Sequence, residues 1–154
     1  MLLSAALNYN SERRLTSCRY RYEQGHEVTG EAMEIAGLWE LLEALDATLD
    51  DAAKREVRET AESDLRQMHF GLNGLIRSIA YYRNSSEAGR AFFGRLGMPD
   101  DGSAVLGAAY WWHVRGIPLT REIFMAALQR HGWWFSSEES EALAEELLAD
   151  YLKR

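Results

Sequence analysis

Cysteine, proline and lysine are scarce in this chain, and each scarcity excludes something. Cys18 stands alone, which excludes a disulfide framework within the chain and a cysteine-based zinc site. No base neighbours it in sequence to make it a nucleophile, so a small buried thiol is expected. Only Pro99 and Pro118 interrupt the chain, so long stretches meet no helix breaker. Two Lys stand against fifteen Arg, a compositional bias rather than a chemical signal. Long hydrophobic runs are missing too. No window approaches the ~18 uninterrupted apolar residues of a membrane span. Met1 to Leu7 are apolar but lack a basic flank and run into Asn8 and Asn10, which argues against a secretory signal. A cytoplasmic protein with no membrane partner is the expectation.

Catalytic patterns are also missing. There is no H-E-x-x-H, no G-x-S-x-G, no phosphate-binding loop and no G-x-G-x-x-G after a strand. Glu23-Gln24-Gly25-His26 is one E-x-x-H, but carboxylate-bridged metal bundles use two, with further inward carboxylates. The expectation is therefore no enzyme, no cofactor and no metal.

What is present is a substantial core. The 154 residues include 47% hydrophobic residues, with 5 Trp, 7 Tyr and 5 Phe. That suffices for one domain spanning residues 1–154 and excludes global disorder. Apolar residues recur at steps of three and four, the signature of helices with one inward face. Thr29 is placed to cap a helix from Gly30 to about Leu49, with Ile35, Leu38, Trp39, Leu42 and Leu45 facing in. Val57, Ala61, Leu65, Met68, Leu72, Leu75, Ile76, Ile79 and Tyr82 predict one long helix from Asp51 to Arg83, kinked near Gly71 and Gly74. Ser85 or Ser86 starts a helix through Leu96, stopped by Gly97 and Pro99. Helices follow over Ser103 to Arg115, Thr120 to His131 and Ser136 to about Lys153, the last opened by a Ser136/Glu139 capping box. Residues 10–24 read as another helix. No strand or hairpin signal stands out. The fold class expected is all-α: a compact bundle of six or seven helices with one long central helix. A short echo, G-x-x-[VL]-T-x-E at Gly25 to Glu31 and Gly116 to Glu122, fits a recurring glycine-stop, threonine-cap connection. An old duplication of a helical hairpin is the other reading.

Charge is unevenly placed within a net of −7. Residues 23–64 hold thirteen acids and three bases, between two stretches of net positive charge. From Asp51 onward, i,i+4 pairs such as Asp51–Arg55, Arg55–Glu59, Arg58–Glu62 and Glu62–Arg66 are expected to neutralise one another. Glu31, Glu34, Glu40, Glu43, Asp46 and Asp50 are less compensated, and they are the candidates for an acidic partner-binding patch.

Aromatic residues supply the second set of candidates. Adjacent tryptophans on a helix point ~100° apart. In Tyr110-Trp111-Trp112 and Trp133-Trp134-Phe135, one Trp of each pair is expected in the core and the other partly exposed. Trp112, Trp133 and Trp134 are therefore candidate interface anchors. A competing surface lies near the N-terminus, where Arg13, Arg14, Arg19, Tyr20, Arg21 and Tyr22 interleave guanidinium with rings as single-strand binders do. Arg66, Arg77, Arg83, Arg90 and Arg95 would extend it. A helix-turn-helix at Gly116 is disfavoured, because Arg121 to Leu128 offers little for base readout.

The functional expectation is a small acidic, non-enzymatic protein that binds and regulates or inhibits another protein. The phage anti-defence or bacterial immunity type is one setting, and a basic nucleic-acid-binding protein is the partner. Direct nucleic-acid binding, and an enzyme or ligand-binding domain with an aromatic pocket, are the alternatives.

Overall fold

A computed structural model describes residues 32–132 and 134–154. These residues are mostly helical, with no strand among them. Helix α1 spans Leu38–Thr48, α2 Asp51–Glu59, and a 3₁₀ segment Glu62–His69. Helix α3, Leu72–Ile76, runs straight into a π-helical segment, Arg77–Tyr82. Then come α4 (Glu87–Gly94), α5 (Pro99–Val114), α6 (Arg121–His131) and α7 (Ser137–Tyr151).

Helix ends follow local chemistry closely. Asp50, Ser86, Thr120 and Ser136 accept the orphan N–H groups of Ala53, Gly89, Ile123 and Glu139. Glu139 completes the capping box by accepting from Ser136 N at 2.7 Å. Gly97 and Gly116 end their helices at φ +96° and +73°, a region where a Cβ would be strained. Pro99 sits in the first turn of α5, where its missing N–H is no loss. Helix α5 therefore begins four residues earlier than its apolar pattern predicts.

Two expectations from periodicity are corrected. The predicted helix from Gly30 does not extend over residues 32–37, and α1 begins at Leu38. Met33 instead forms an isolated parallel bridge with Asn84, using Met33 N to Arg83 O (2.9 Å) and Ser85 N to Met33 O (2.8 Å). The Asn84 side chain then clamps Ile35: Ile35 N donates to Oδ1 at 3.1 Å, and Nδ2 donates to Ile35 O at 2.9 Å. With both backbone groups of Ile35 taken by a side chain, no helical bond remains for them. Asp150 of α7 accepts from Leu38 N at the start of α1. A Cβ on Gly37 would collide with that carboxylate.

The predicted long helix from Asp51 to Arg83 is four pieces. It stops at Thr60 and Ala61, both extended, and again at Gly71, where glycine was expected to kink it. None of the expected pairs Asp51–Arg55, Arg55–Glu59, Arg58–Glu62 and Glu62–Arg66 forms; Glu62 takes Arg130 of α6 at 2.8 Å. Within the π segment Arg83 N reaches Ser78 O at 2.8 Å. Asn84 Nδ2 takes the Ala80 carbonyl at 3.0 Å.

The central helix is α5, which packs against α2, the 3₁₀ segment, α3, the π segment, α4 and α6. From Gly102 to Trp111 it is buried at every residue except the half-buried Ala104. A helix apolar all round belongs in the middle of a fold. Helices α6 and α7 pack on each other, and α7 on α1. The α1 contribution is a leucine stripe: Leu38, Leu41, Leu42 and Leu45 are all buried, each contributing about 1.5–3 kcal/mol as an upper estimate.

Candidate functional site

Burying Leu38, Leu41, Leu42 and Leu45 inward turns the rest of α1 outward. Glu40 and Glu43 are three residues apart on that outer side, and both are exposed. Such i,i+3 neighbours lie roughly 5–6 Å apart at Cβ. Glu34 is exposed on the extended segment before the helix. Among the described residues, Glu34, Glu40 and Glu43 have no ion-pair partner. From residue 32 to residue 53 the chain carries six acids and no base. Two acids of α7 differ: Glu145 and Glu146 meet Arg121 and Arg95.

Two predicted acidic candidates are engaged inside the chain. Asp50 caps α2. Asp46 accepts from the Tyr110 hydroxyl at 2.9 Å and lies 2.9 Å from His113 Nε2. Burial first, and then the bond to Asp46, hold the Tyr110 phenol far above its ordinary pKa. Asp46 thus ties α1 to α5. Glu31 lies outside the described residues.

The aromatic candidates divide as the 100° rule requires where they are described. Trp111 is buried and donates from Nε1 to Thr60 O at 2.9 Å. Trp112 is half-buried, edge-on to Trp111 at 4.7 Å. Trp134 is half-buried against Phe135 at 5.2 Å, beside Gly97. Trp133 lies outside the described residues. Sequence reasoning placed Trp39 in the core, but it is only half-buried. It sits between His113 (6.2 Å) and Tyr151 (5.8 Å), with the Arg154 guanidinium 5.5 Å from its ring centre. One residue from Glu40, it is the aromatic that borders the acidic stripe. The large apolar side chains that are most exposed are Phe70, Met98 and Leu152, which no periodicity singles out.

Of the five arginines expected to extend the competing basic surface, Arg77, Arg90 and Arg95 are engaged within the chain. Arg77 donates to Ser103 Oγ and His69 O and faces Asp100 at 3.4 Å. Arg90 donates to Asn84 O at 2.9 Å, and Arg95 pairs with Glu146. Arg13, Arg14, Arg19, Tyr20, Arg21 and Tyr22 lie outside the described residues, as do Cys18, His26 and the first copy of the G-x-x-[VL]-T-x-E echo.

Among the described residues, no group of three or more His, Asp or Glu side chains is placed to hold a metal ion. No described helix is long and apolar enough to cross a membrane. His131 closes α6 with its side chain turned inward. Burial, with Arg130 and Arg66 nearby and only Glu62 opposing them, lowers its pKa below the usual 6.5. The unfolded chain then takes up this proton before the folded one does. Stability should fall as pH drops below about 6.5, with a slope of at most ~1.4 kcal/mol per unit from this group, until the folded pKa is reached. Urea titrations at pH 7.5, 6.5 and 5.5 check this: His131→Gln should flatten the slope, and an unchanged slope would remove His131 as its source.

Comparison of the chain with protein-family models, curated proteins and solved structures gives no match.

Proposed function

We propose that this is a non-enzymatic cytoplasmic protein that binds a basic partner protein through the outer face of α1 and so regulates or inhibits it. The observation that carries the reading is the unneutralised row Glu34, Glu40 and Glu43, on a stretch without a single base. Elsewhere in the fold, Glu62, Glu145 and Glu146 meet arginines. Carboxylates held along a helix present a line of negative charge, as a phosphate backbone does, and favour a surface built to receive one. The partner is accordingly a protein whose own nucleic-acid-binding surface is basic, and the setting is that of an anti-defence or immunity inhibitor. Trp39 beside the row supplies the kind of half-exposed aromatic that anchors interfaces.

The test is charge reversal at positions that carry no packing. Glu40→Lys with Glu43→Lys should leave helicity and Tm within a degree or two of the parent, since the leucine stripe is untouched. Capture of a stoichiometric basic protein from nuclease-treated host lysate should fall at least tenfold, and wild-type capture should weaken steeply with salt. Equal capture by the variant, or captured material that vanishes with nuclease, would overturn the reading.

A further inference from the structure

Just past α7, Arg154 sets its guanidinium against two aromatic rings from different helices. It lies 5.0 Å from the Tyr151 ring centre and 5.5 Å from that of Trp39, both within the ~6 Å reach of a cation–π contact. The rings stand 5.8 Å apart and 58° from parallel, so they form two walls of a corner with the guanidinium against both. Neighbouring groups hold these walls in place. His113 packs edge-on to Trp39 at 6.2 Å, and Asp46 fixes that imidazole at 2.9 Å. Tyr151 belongs to the core. Arg154 itself is exposed. Among the described residues it makes one hydrogen bond, from Nη1 to the Tyr151 hydroxyl at 3.4 Å, and no ion pair. Arg95, Arg121 and Arg130, by contrast, each meet a glutamate.

Glu43 follows Trp39 by four residues on α1, one turn along the same face. It is exposed and, among the described residues, has no ion-pair partner. A cation without a carboxylate thus lies on the rings, and a carboxylate without a cation stands beside them. We infer that Trp39, Tyr151 and Glu43 form the seat for an arginine side chain of the basic partner protein, and that Arg154 fills it in cis until the partner displaces it. This rests on the acidic row being the partner-binding face. The occupant of the corner selects the residue type. A guanidinium is planar and weakly hydrated, and it can lie on a ring while its N–H edge stays free for a carboxylate. A lysine ammonium is compact and strongly hydrated, and it loses more on leaving water. Arg154 is tethered three residues from Tyr151 and engages the rings alone. An arginine arriving from outside can lie over Trp39 with its edge toward Glu43, gaining a charge-assisted bond that Arg154 lacks. The displaced Arg154 returns to water. As a competitor in cis, Arg154 lowers the partner's affinity about two- to fivefold, the equivalent of one exposed cation–π contact.

The experiment titrates the ¹⁵N-labelled full chain with a glycine-flanked peptide carrying two arginines, and with its lysine counterpart. Salt is kept at about 0.15 M, so that distant charges are screened. The reporter is the Trp39 indole N–H signal, assigned with Trp39→Phe. The arginine peptide should shift it saturably and bind about threefold or more tighter than the lysine peptide. Arg154→Ala should raise the arginine peptide's affinity about two- to fivefold. Its indole signal, displaced in the free variant, should move back toward the wild-type position as the peptide fills the corner. Lys153→Ala removes the same charge without touching the rings and should change affinity by less than about 1.5-fold at this ionic strength. Glu43→Gln should weaken the arginine peptide about threefold or more with Tm unchanged. Equal affinity for the two peptides, an equal gain from Lys153→Ala, or a silent Trp39 indole would overturn the inference. Its failure is distinguishable from failure of the partner reading. A basic protein captured equally by the wild type and by Arg154→Ala would keep the acidic row and remove the arginine seat. Arginine-peptide binding reported by Trp39, with no basic protein captured, would keep the seat and remove the partner protein.

Discussion

Asn84→Ala is expected to remove at least about 4 kcal/mol of folding stability, the lower end for four buried groups left unpaired at roughly 1–3 kcal/mol each. Asn84 is 4% exposed and uses its whole amide. Oδ1 accepts from Ile35 N and Ser86 N; Nδ2 donates to Ile35 O and Ala80 O. Truncation would orphan four backbone groups in one place. It would also free the extended segment 32–37 that leads the chain into α1. Asn84→Asp is no remedy: it keeps the acceptor, loses both donors, and sets a carboxylate against two carbonyl oxygens. Gly89 belongs to the same junction, since a Cβ there would strike the Ile35 carbonyl. Domains of this size have ~5–15 kcal/mol in total, so the alanine variant should be only marginally folded. Denaturant unfolding measures the loss, and amide exchange should show residues 33–38 opening first. A variant within 1 kcal/mol of the parent would mean that the junction does not depend on this side chain.

Trp111→Ala should cost a comparable ~3–5 kcal/mol, the range for removing a buried aromatic. Its ring lies 4.4 Å below the Arg115 guanidinium and edge-on to Trp112. Its Nε1 donates to Thr60 O, at the point where α2 ends. Trp111→Phe separates the two contributions: it retains most of the packing and loses the donor, so ~1–2 kcal/mol is expected. If the phenylalanine variant matched the alanine variant, the Thr60 bond rather than packing would be the dominant contribution. If phenylalanine were neutral, the break at Thr60 would owe nothing to Trp111.

These two residues also show where sequence reasoning runs out. The run from Val57 to Tyr82 has the correct spacing for one helix, and its members Val57, Leu65, Leu72, Leu75, Ile76 and Ile79 are indeed buried. Their burial was legible because steps of three and four bring residues to one side in each of these tight helical turns, although Ala61, at the break, is exposed. The breaks were not, because Thr60 is extended in a context where its carbonyl meets a side chain 51 residues away. The start of α1 has the same character, since Asn84 is 49 residues from Ile35. Among the candidate site residues, Glu40 and Glu43 were legible as uncompensated charge. Asp46 belongs to the same uncompensated stretch in the sequence, but only the docking of α5 reveals its bonds to Tyr110 and His113. Periodicity alone places Trp39 on the inward face. It is half-exposed because α1 meets the rest of the fold along Leu38, Leu41, Leu42 and Leu45.

By itself the sequence determined the helical class, the caps at Ser86, Thr120 and Ser136, the glycine stops at Gly97 and Gly116, and the acidic stretch without bases. All of these act within one or two helical turns, where neighbouring residues alone set the backbone's hydrogen bonding and charge. The tertiary structure decided which helix is central, where the 51–83 stretch breaks, and which acids are paired. Those outcomes rest on bonds and contacts between residues far apart in sequence, which come into being only when the helices pack.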